Sequence, residues 1–536
     1  MASTLQPGGP GITPASAGAA SLAPATPPAT PPAAPQAQFE MKSVGKHTMV
    51  YGLGILLNRL VGFLMLPVYT RFLSPADYGV MELISMTLDV ISIFAGAQLA
   101  LGIFRYYHKT DDADEKRAVV STAFAGLGLS YGLMSLATWV FATPLSALIF
   151  KTTDHASLLR IASIGLAFTS LMNVPLSYAR VLDRSRLFVA ANLARLVIGL
   201  ALNLILLVGF EMGVRGVMIS NAVASAIVGT WLSVWTLRKV GLHFTRNATR
   251  DLARYGLPLM GTWLATFTAT YGDRYFLQAE GTPTDVGLYS LAYTFGFLLA
   301  AVGYIPFMQV WEPKRFEIAK RGADRDELLA RGFVYLNLLL ITTAVGISLF
   351  VGDVVRVMTT PAFYSAAEIV PIILLAYVLQ GWTSLQDIGI LVRERTEFVT
   401  IANWLAAGVA LLFYWLLIPR YLGWGAAVAT LIAFTVRHVA IYVFSQRLWP
   451  VRYRWAPVLR LCAVALAVAG VGYFLPPASL LASLALRGAL LAVYFIALWN
   501  MDVLTPDDRL VARRVLRTVR ARVAGRFFAR QQAGEA

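Results

Sequence analysis

Six arginines of this chain, Arg59, Arg160, Arg195, Arg274, Arg437 and Arg487, fall inside long apolar stretches, together with several carboxylates. A charge at the centre of a hydrocarbon layer costs roughly 2.5–3.5 kcal/mol on insertion scales, so a functional site is its default reading. Arg59 lies near the centre of the first stretch beside Asn58, with Tyr51, Gly54, Gly62 and Tyr69 on its helical face. The second stretch carries Glu82, Ser85, Asp89, Ser92 and Gly96, a spacing that places all five on one stripe of a helix. Further stripes are Asn192, Arg195, Gly199 and Asn203; Thr262, Thr266, Thr270 and Asp273; Tyr289, Tyr293, Gly296 and Tyr304; and Gln380, Ser384 and Asp387. Guanidinium groups grip phosphate oxygens bidentately, whereas Asp89, Glu82, Asp273 and Asp387 could balance that charge or take up a coupling proton or sodium ion. Each stripe also has a plainer use. Glycine, serine and threonine faces permit close helix packing, Tyr289 and Tyr304 suit a membrane interface, and an Arg59–Asp89 pair could simply orient two helices.

The elements that must position these groups are membrane helices. About fourteen apolar stretches, most of them long enough to cross a hydrocarbon core, occupy 46–69, 79–104, 118–140, 157–179, 187–208, 216–237, 256–278, 287–310, 332–351, 367–391, 398–418, 425–446, 458–475 and 481–501. Of the 536 residues 57% are hydrophobic and 14% charged, which fits a polytopic membrane protein and no ordinary soluble domain. The connectors alternate in charge. Those on one side, with the tail, hold 34 of the 45 Lys and Arg, while the other side holds five, Arg71, Lys151, Arg215, Arg356 and Arg420. The rich side is cytoplasmic by the positive-inside rule, so both termini are expected inside, in a bacterial inner membrane. The net charge of +16 is thus a topology signal and a lipid-headgroup contact, and nucleic acid is not an expected partner.

Other features narrow the function. The single cysteine, Cys462, rules out an internal disulfide. There is no GxxxxGK[ST] phosphate loop, and His47, His108, His155, His243 and His438 are scattered, so neither an ATP site of that type nor a metal site is expected, and no catalytic constellation stands out. The connectors on the poor side are too short for a large external catalytic domain. Residues 1–42 read as a disordered Ala/Pro-rich arm, and 504–536 as a basic amphipathic helix lying on anionic lipid.

A repeat runs through the chain. Arg71-Phe72-Leu73, a short turn and Asp77-Tyr-Gly79 return about 204 residues later as Arg274-Tyr-Phe276-Leu277 and Asp285-Val-Gly287. Asp77 and Asp285 suit a helix start, where a carboxylate caps free amides. The expected fold is an all-α polytopic protein with two pseudo-symmetric six-helix lobes, 43–240 and 241–447, then a C-terminal helix pair within 448–503. Duplicated lobes around a midplane site are the usual build of transporters that rock between two openings.

At these residues the chain resembles the Wzx-type polysaccharide flippases of the multidrug/oligosaccharidyl-lipid/polysaccharide exporter superfamily. The resemblance covers roughly 43–503. It rests on Gly52-Leu-Gly-Ile-Leu-Leu-Asn58-Arg59, Pro67-Val-Tyr-Thr-Arg71-Phe-Leu-Ser-Pro-Ala-Asp77-Tyr-Gly79, Gly272-Asp273-Arg274-Tyr-Phe276-Leu277 and Tyr364-Ser-Ala-Ala-Glu368-Ile-Val-Pro371. It implies alternating access and the flipping of polyprenyl-diphosphate-linked oligosaccharides to the outer leaflet, for exopolysaccharide, O-antigen or capsule, alongside a polymerase and co-polymerase. Arg59 and Arg274, within matched segments, with Arg195 and Asn58, would hold the diphosphate, and Tyr289 and Tyr293 would offer ring faces to sugars. The related lipid II flippases carry arginines in spans two and eight. This chain has none there, which disfavours a peptidoglycan-precursor cargo. A cation-coupled drug antiporter of the same superfamily is the nearest alternative, and a membrane polymerase or ligase a more distant one.

Overall fold

The computed structural model describes residues 62–322, 324–475 and 479–501, all within one compact unit. Asn58 and Arg59, the N-terminal arm and the basic tail lie outside the described residues. Among the described residues the regular structure is helical throughout. The helices are α1 (Leu66–Phe72), α2 (Pro75–Phe94), α3 (Leu99–Tyr107), α4 (Ala113–Val140), α5 (Ala142–Phe150), α6 (Ala156–Val181), α7 (Ser185–Asn203), α8 (Gly213–Val240), α9 (Arg246–Tyr271), α10 (Asp273–Glu280), α11 (Pro283–Leu299), α12 (Ile305–Ala319), α13 (Arg325–Met358), α14 (Ala366–Gln386), α15 (Ile388–Val392), α16 (Glu397–Leu448), α17 (Trp455–Phe474) and α18 (Leu480–Asn500). Two π-helical turns, Leu204–Gly209 and Ala300–Tyr304, continue α7 and join α11 to α12.

Ten helical rods are long and apolar enough to cross a membrane, and the bent pair α2/α3 makes an eleventh. The fourteen stretches of the sequence reconcile with that count. The 52-residue α16 carries the eleventh and twelfth stretches in one rod, kinked at Leu422 (φ 44°, ψ −123°). The seventh stretch is carried by α9, which is too polar to count, and most of the first lies outside the described residues. The outer surface explains why such a chain needs lipid. Leu129, Leu148, Val197, Trp415 and Leu481 stand exposed, and only 11% of the apolar window of α18 is buried. Exposed apolar area on that scale is stable against hydrocarbon and not against water. The protein is a multi-pass membrane protein.

Packing runs chiefly within each half of the chain. In the first half α6 packs on α8 and α4, and α7 on α8; in the second α9 and α14 pack on α16, and α11 and α13 on α14. The pair α17 and α18 rests on α13. The halves meet chiefly where α2 packs against α11 and α3 against α9, with smaller contacts of α4 and α2 on α9, α5 on α10 and α1 on α13. The bend in the second stretch is local chemistry: Gly96 adopts φ 87°, a conformation that suits glycine, and turns α3 by 45° from α2. Gly96 therefore ends the polar stripe of α2 rather than extending it.

Both copies of the repeat fold alike. Ser74 caps α2: its Oγ accepts from the Asp77 amide at 3.1 Å, and the Asp77 carboxylate accepts from the Ser74 amide at 3.1 Å. Thr282 and Asp285 make the same reciprocal pair at the start of α11, at 3.4 and 2.8 Å. Each box satisfies two amides that a helix start leaves open, and each is followed by proline in the first turn, where no amide is needed.

Candidate functional site

The two capped helix starts meet face to face. A Cβ built on Gly79 would fall on the carbonyl oxygen of Pro283 and lie 2.9 Å from the Gly287 amide; one on Gly287 would fall on the Pro75 carbonyl and lie 3.1 Å from the Gly79 amide. The contact is reciprocal, as a two-fold relation between the halves requires, and only glycine permits it. The same end is tied by further bonds between the halves. Thr70 Oγ1 donates to Met358 O at 3.2 Å, Thr360 Oγ1 donates to Thr70 O at 3.4 Å, and Lys151 Nζ donates to Ala279 O. Tyr78 meets Phe363 edge-on at 6.2 Å.

Below this seal lies a cavity of about 340 Å³ between α1, α2, α9, α10 and α11. The polar stripe of α2 forms one wall, with Glu82, Ser85 and Asp89; Ser290, Thr294 and Arg274 line the opposite side, and Tyr69, Tyr78 and Tyr271 add aromatic surface. Helical spacing brings the α2 residues together, because positions three and four apart share a face. Thr87, one residue round the helix, reaches the Tyr275 hydroxyl at 3.0 Å and ties α2 to α10.

Arg274 contributes little free charge to this cavity. It is 1% exposed, and its Nη1 donates to Asp273 Oδ1 at 2.7 Å and to Thr270 O at 2.8 Å. Its guanidinium lies 3.9 Å from the ring centre of Tyr293, 5.0 Å from that of Tyr289 and 5.4 Å from that of Tyr271, a desolvated cation–π cage. The other oxygen of Asp273 accepts from Tyr289 Oη at 2.6 Å and from Thr430 Oγ1 at 3.1 Å. Asp273 is fully buried, so it sits against Arg274 and not on the cavity wall. The expectation that Tyr289 and Tyr293 turn ring faces to a sugar is corrected here. Both are 0% exposed and packed 5.5 Å apart, with Arg274 over both rings and Tyr377 of α14 edge-on to Tyr293.

The remaining sequence candidates lie elsewhere. Asp387 pairs with Arg315 at 2.6 Å at the far end of α14, remote from the cavity wall. Arg315, 2% exposed, also donates to Ser384 O, and nearby Arg437 donates to Gln380 Oε1 at 2.8 Å. Asp387 is thus part of a polar lock between α12 and α14. Arg195 lines a second cavity of about 360 Å³ between α1, α7 and α8, with Asn192, Asn203 and Asn221. Sequence reasoning missed Arg315, because the helix after Pro283 runs unbroken far beyond its apolar stretch to Ala319. It also missed Asp353, which accepts from Ser483 Oγ at 2.9 Å and Arg487 Nη1 at 2.6 Å and fastens α18 to α13. Asp353 lies just beyond the end of the ninth stretch, and Arg487 was the one signal for its partner. Among the described residues, no group of His, Cys, Asp and Glu is arranged to hold a metal.

Comparison with known proteins agrees with this architecture. The family described as "Polysaccharide biosynthesis protein" matches residues 44–318. A protein of the Lsg locus of Haemophilus influenzae is 22% identical over 254 residues, which are 46% of this chain and 60% of that protein. Among solved structures, the lipid II flippase MurJ in its inward closed conformation superposes with a TM-score of 0.69 at 13% identity, over 83% of this chain and 98% of the other. An inward-facing multidrug resistance MATE family transporter of the MOP superfamily gives 0.56 at 14% identity, over 73% and 97%. At such identities the likeness is one of fold.

Proposed function

Because this chain belongs to the polysaccharide biosynthesis protein family, we propose that it is a flippase carrying polyprenyl-diphosphate-linked oligosaccharide units from the cytoplasmic to the outer leaflet of a bacterial inner membrane, for exopolysaccharide, O-antigen or capsule. The observation that carries this reading is the cavity of about 340 Å³ with polar walls, set between helices whose outer faces are apolar. A lipid-linked sugar has the same division. Its hydroxyls and phosphates need hydrogen-bonding walls, while its tail remains comfortable in hydrocarbon. Ser85, Ser290 and Thr294 offer donors and acceptors to sugar, and Tyr69, Tyr78 and Tyr271 offer aromatic surface. Crossing requires no covalent step, so the chain acts as a transporter rather than a catalyst.

The two halves rock about the cavity, and the Gly79–Gly287 contact closes the end at which α2 and α11 begin, which is the external end if both termini are cytoplasmic. Glu82 and Asp89, on the cavity wall, take up a proton or sodium ion that drives the return step. A polymerase and co-polymerase receive the product outside.

The same two carboxylates favour a second reading. With Arg274 neutralised by Asp273, the cavity wall is acidic, which suits an antiporter exporting cationic compounds. One experiment separates them. Proteoliposomes receive a fluorescent polyprenyl-diphosphate oligosaccharide in one series and a cationic dye in the other, under proton and sodium gradients. Protein-dependent movement of the lipid to the second leaflet, lost in Glu82→Gln/Asp89→Asn only when a gradient drives it, is expected. Dye export without lipid movement refutes the flippase reading.

A further inference from the structure

We propose that the diphosphate group of the carried lipid is held at Arg195, in the cavity between α1, α7 and α8, and not at Arg274. The inference rests on the flippase reading and names where its most highly charged group goes. A diphosphate needs a cation that is not already neutralised. Two of the in-span arginines are neutralised by a carboxylate, Arg274 by Asp273 and Arg487 by Asp353. Arg437 and Arg160 keep their charge but are tied to neighbouring helix groups, Arg437 to Gln380 and Arg160 to Thr143 at 3.2 Å beside the ring of Trp139, and Arg59 lies outside the described residues. Arg195 lines its cavity, is exposed there, and makes no salt bridge among the described residues.

Its depth makes that state costly. Arg195 lies ten residues into α7, about 15 Å along a helix rising 1.5 Å per residue, and so near the middle of a hydrocarbon layer about 30 Å thick. A cation kept there without a counter-charge is a functional group by default. The surrounding groups are neutral and rich in donors. Asn192, Asn203 and Asn221 line the cavity, and no acidic residue does. Asn203 is 4% exposed; its Nδ2 donates to Tyr69 Oη at 3.2 Å, while its Oδ1 has no partner. Because the Tyr69 oxygen accepts that bond, its own proton is available to an incoming oxygen. Tyr69 and Gly62 line both this cavity and the acidic one. The two chambers therefore adjoin: one presents Arg195 and amides, the other Glu82 and Asp89. An anionic headgroup seated at Arg195 can extend its sugars toward the second chamber without bringing phosphate against carboxylate.

The test uses the full chain in nanodiscs of phosphatidylcholine, titrated with geranylgeranyl diphosphate and read by tryptophan fluorescence. Separate titrations use geranylgeraniol, inorganic pyrophosphate and phosphatidylglycerol. Saturable binding of the prenyl diphosphate is expected, with pyrophosphate competing and the alcohol inert. Arg195→Gln should weaken it at least tenfold, and Arg195→Lys less, because lysine keeps the charge without the fork. Arg160→Gln serves as the control and should leave affinity unchanged. Wild-type affinity in Arg195→Gln overturns the assignment, as does absence of binding to the wild type. Equal binding of phosphatidylglycerol overturns it in favour of an ordinary lipid-headgroup site. Should Arg195→Gln misfold, a tenfold loss in Asn221→Ala, judged beside a normal elution profile, supports the site and an unchanged affinity overturns it. The flippase reading fails separately, by the absence of lipid-linked oligosaccharide transport in proteoliposomes, whatever Arg195 binds.

Discussion

Replacing Gly79 with alanine should open the end of the protein at which α2 and α11 meet. The added methyl would fall on the Pro283 carbonyl and 2.9 Å from the Gly287 amide, both backbone atoms that cannot rotate aside. Comfortable carbon contacts lie near 3.5–4.0 Å, so the two helices must part by roughly 1 Å or more. Overpacking of this kind costs about 1–3 kcal/mol. The cost falls only on the conformation in which the helices touch, so it shifts the equilibrium toward the separated one by about 5- to 150-fold. The single cysteine allows a direct assay. In a Cys462→Ala background, Ser85→Cys places one thiol on the cavity wall, and a membrane-impermeant maleimide reports its exposure in right-side-out and inverted vesicles. Gly79→Ala and Gly287→Ala should each raise labelling from the side at which α2 begins, several-fold or more, and the pair should not be additive, since they disrupt one contact. Gly128→Ala on α4, where a Cβ meets nothing within 4 Å, should leave the rate unchanged. Unchanged labelling in both gate variants, in protein that elutes and melts normally, would refute the reasoning.

Three further outcomes are expected. Asp353→Asn should destabilise the fold by up to about 3 kcal/mol, because it leaves the partly buried Arg487 without its counter-charge; a thermal melt in detergent measures the loss, and Asp353→Leu/Arg487→Met should recover much of it. Asp273→Asn and Arg274→Gln should each lower stability, yet their double variant should lose less than the sum, with a coupling of about 1–3 kcal/mol in a double-mutant cycle of denaturant melts; strict additivity would mean that the pair does not interact. Ser74→Ala, which removes the cap of α2, should cost about 1 kcal/mol in the same melt, and a change below a few tenths would show that the helix start is held by its packing alone.

Much of the fold is legible from residue order because its causes are local. A run of some twenty apolar residues must become a helix in lipid whatever surrounds it, and Ser74-Pro75-Ala-Asp77 and Thr282-Pro283-Thr-Asp285 each close a capping box within four residues. The polar stripe of α2 is local in the same way, since helical spacing alone puts Glu82, Ser85 and Asp89 on one wall. The break at Gly96 is harder to see, because a glycine within an apolar stretch is equally compatible with an unbroken helix.

The roles of the charged groups are not local. Arg274 stands in a stretch matching the repeat, and nothing in that stretch says that Tyr289, Tyr293 and Thr430, up to 157 residues away, complete its cage with Asp273. Asp387 looks like a coupling carboxylate until Arg315 arrives from α12, and Arg195 looks like one arginine among six until the other described ones acquire partners. Sequence alone determined that this chain crosses the membrane many times, where its two capped helices, α2 and α11, begin, and which residues could carry charge within it. Tertiary packing decided which of those charges are neutralised and which face a cavity. The physical reason is that a buried charge takes its meaning from groups within about 4 Å, and those groups come from distant parts of the chain.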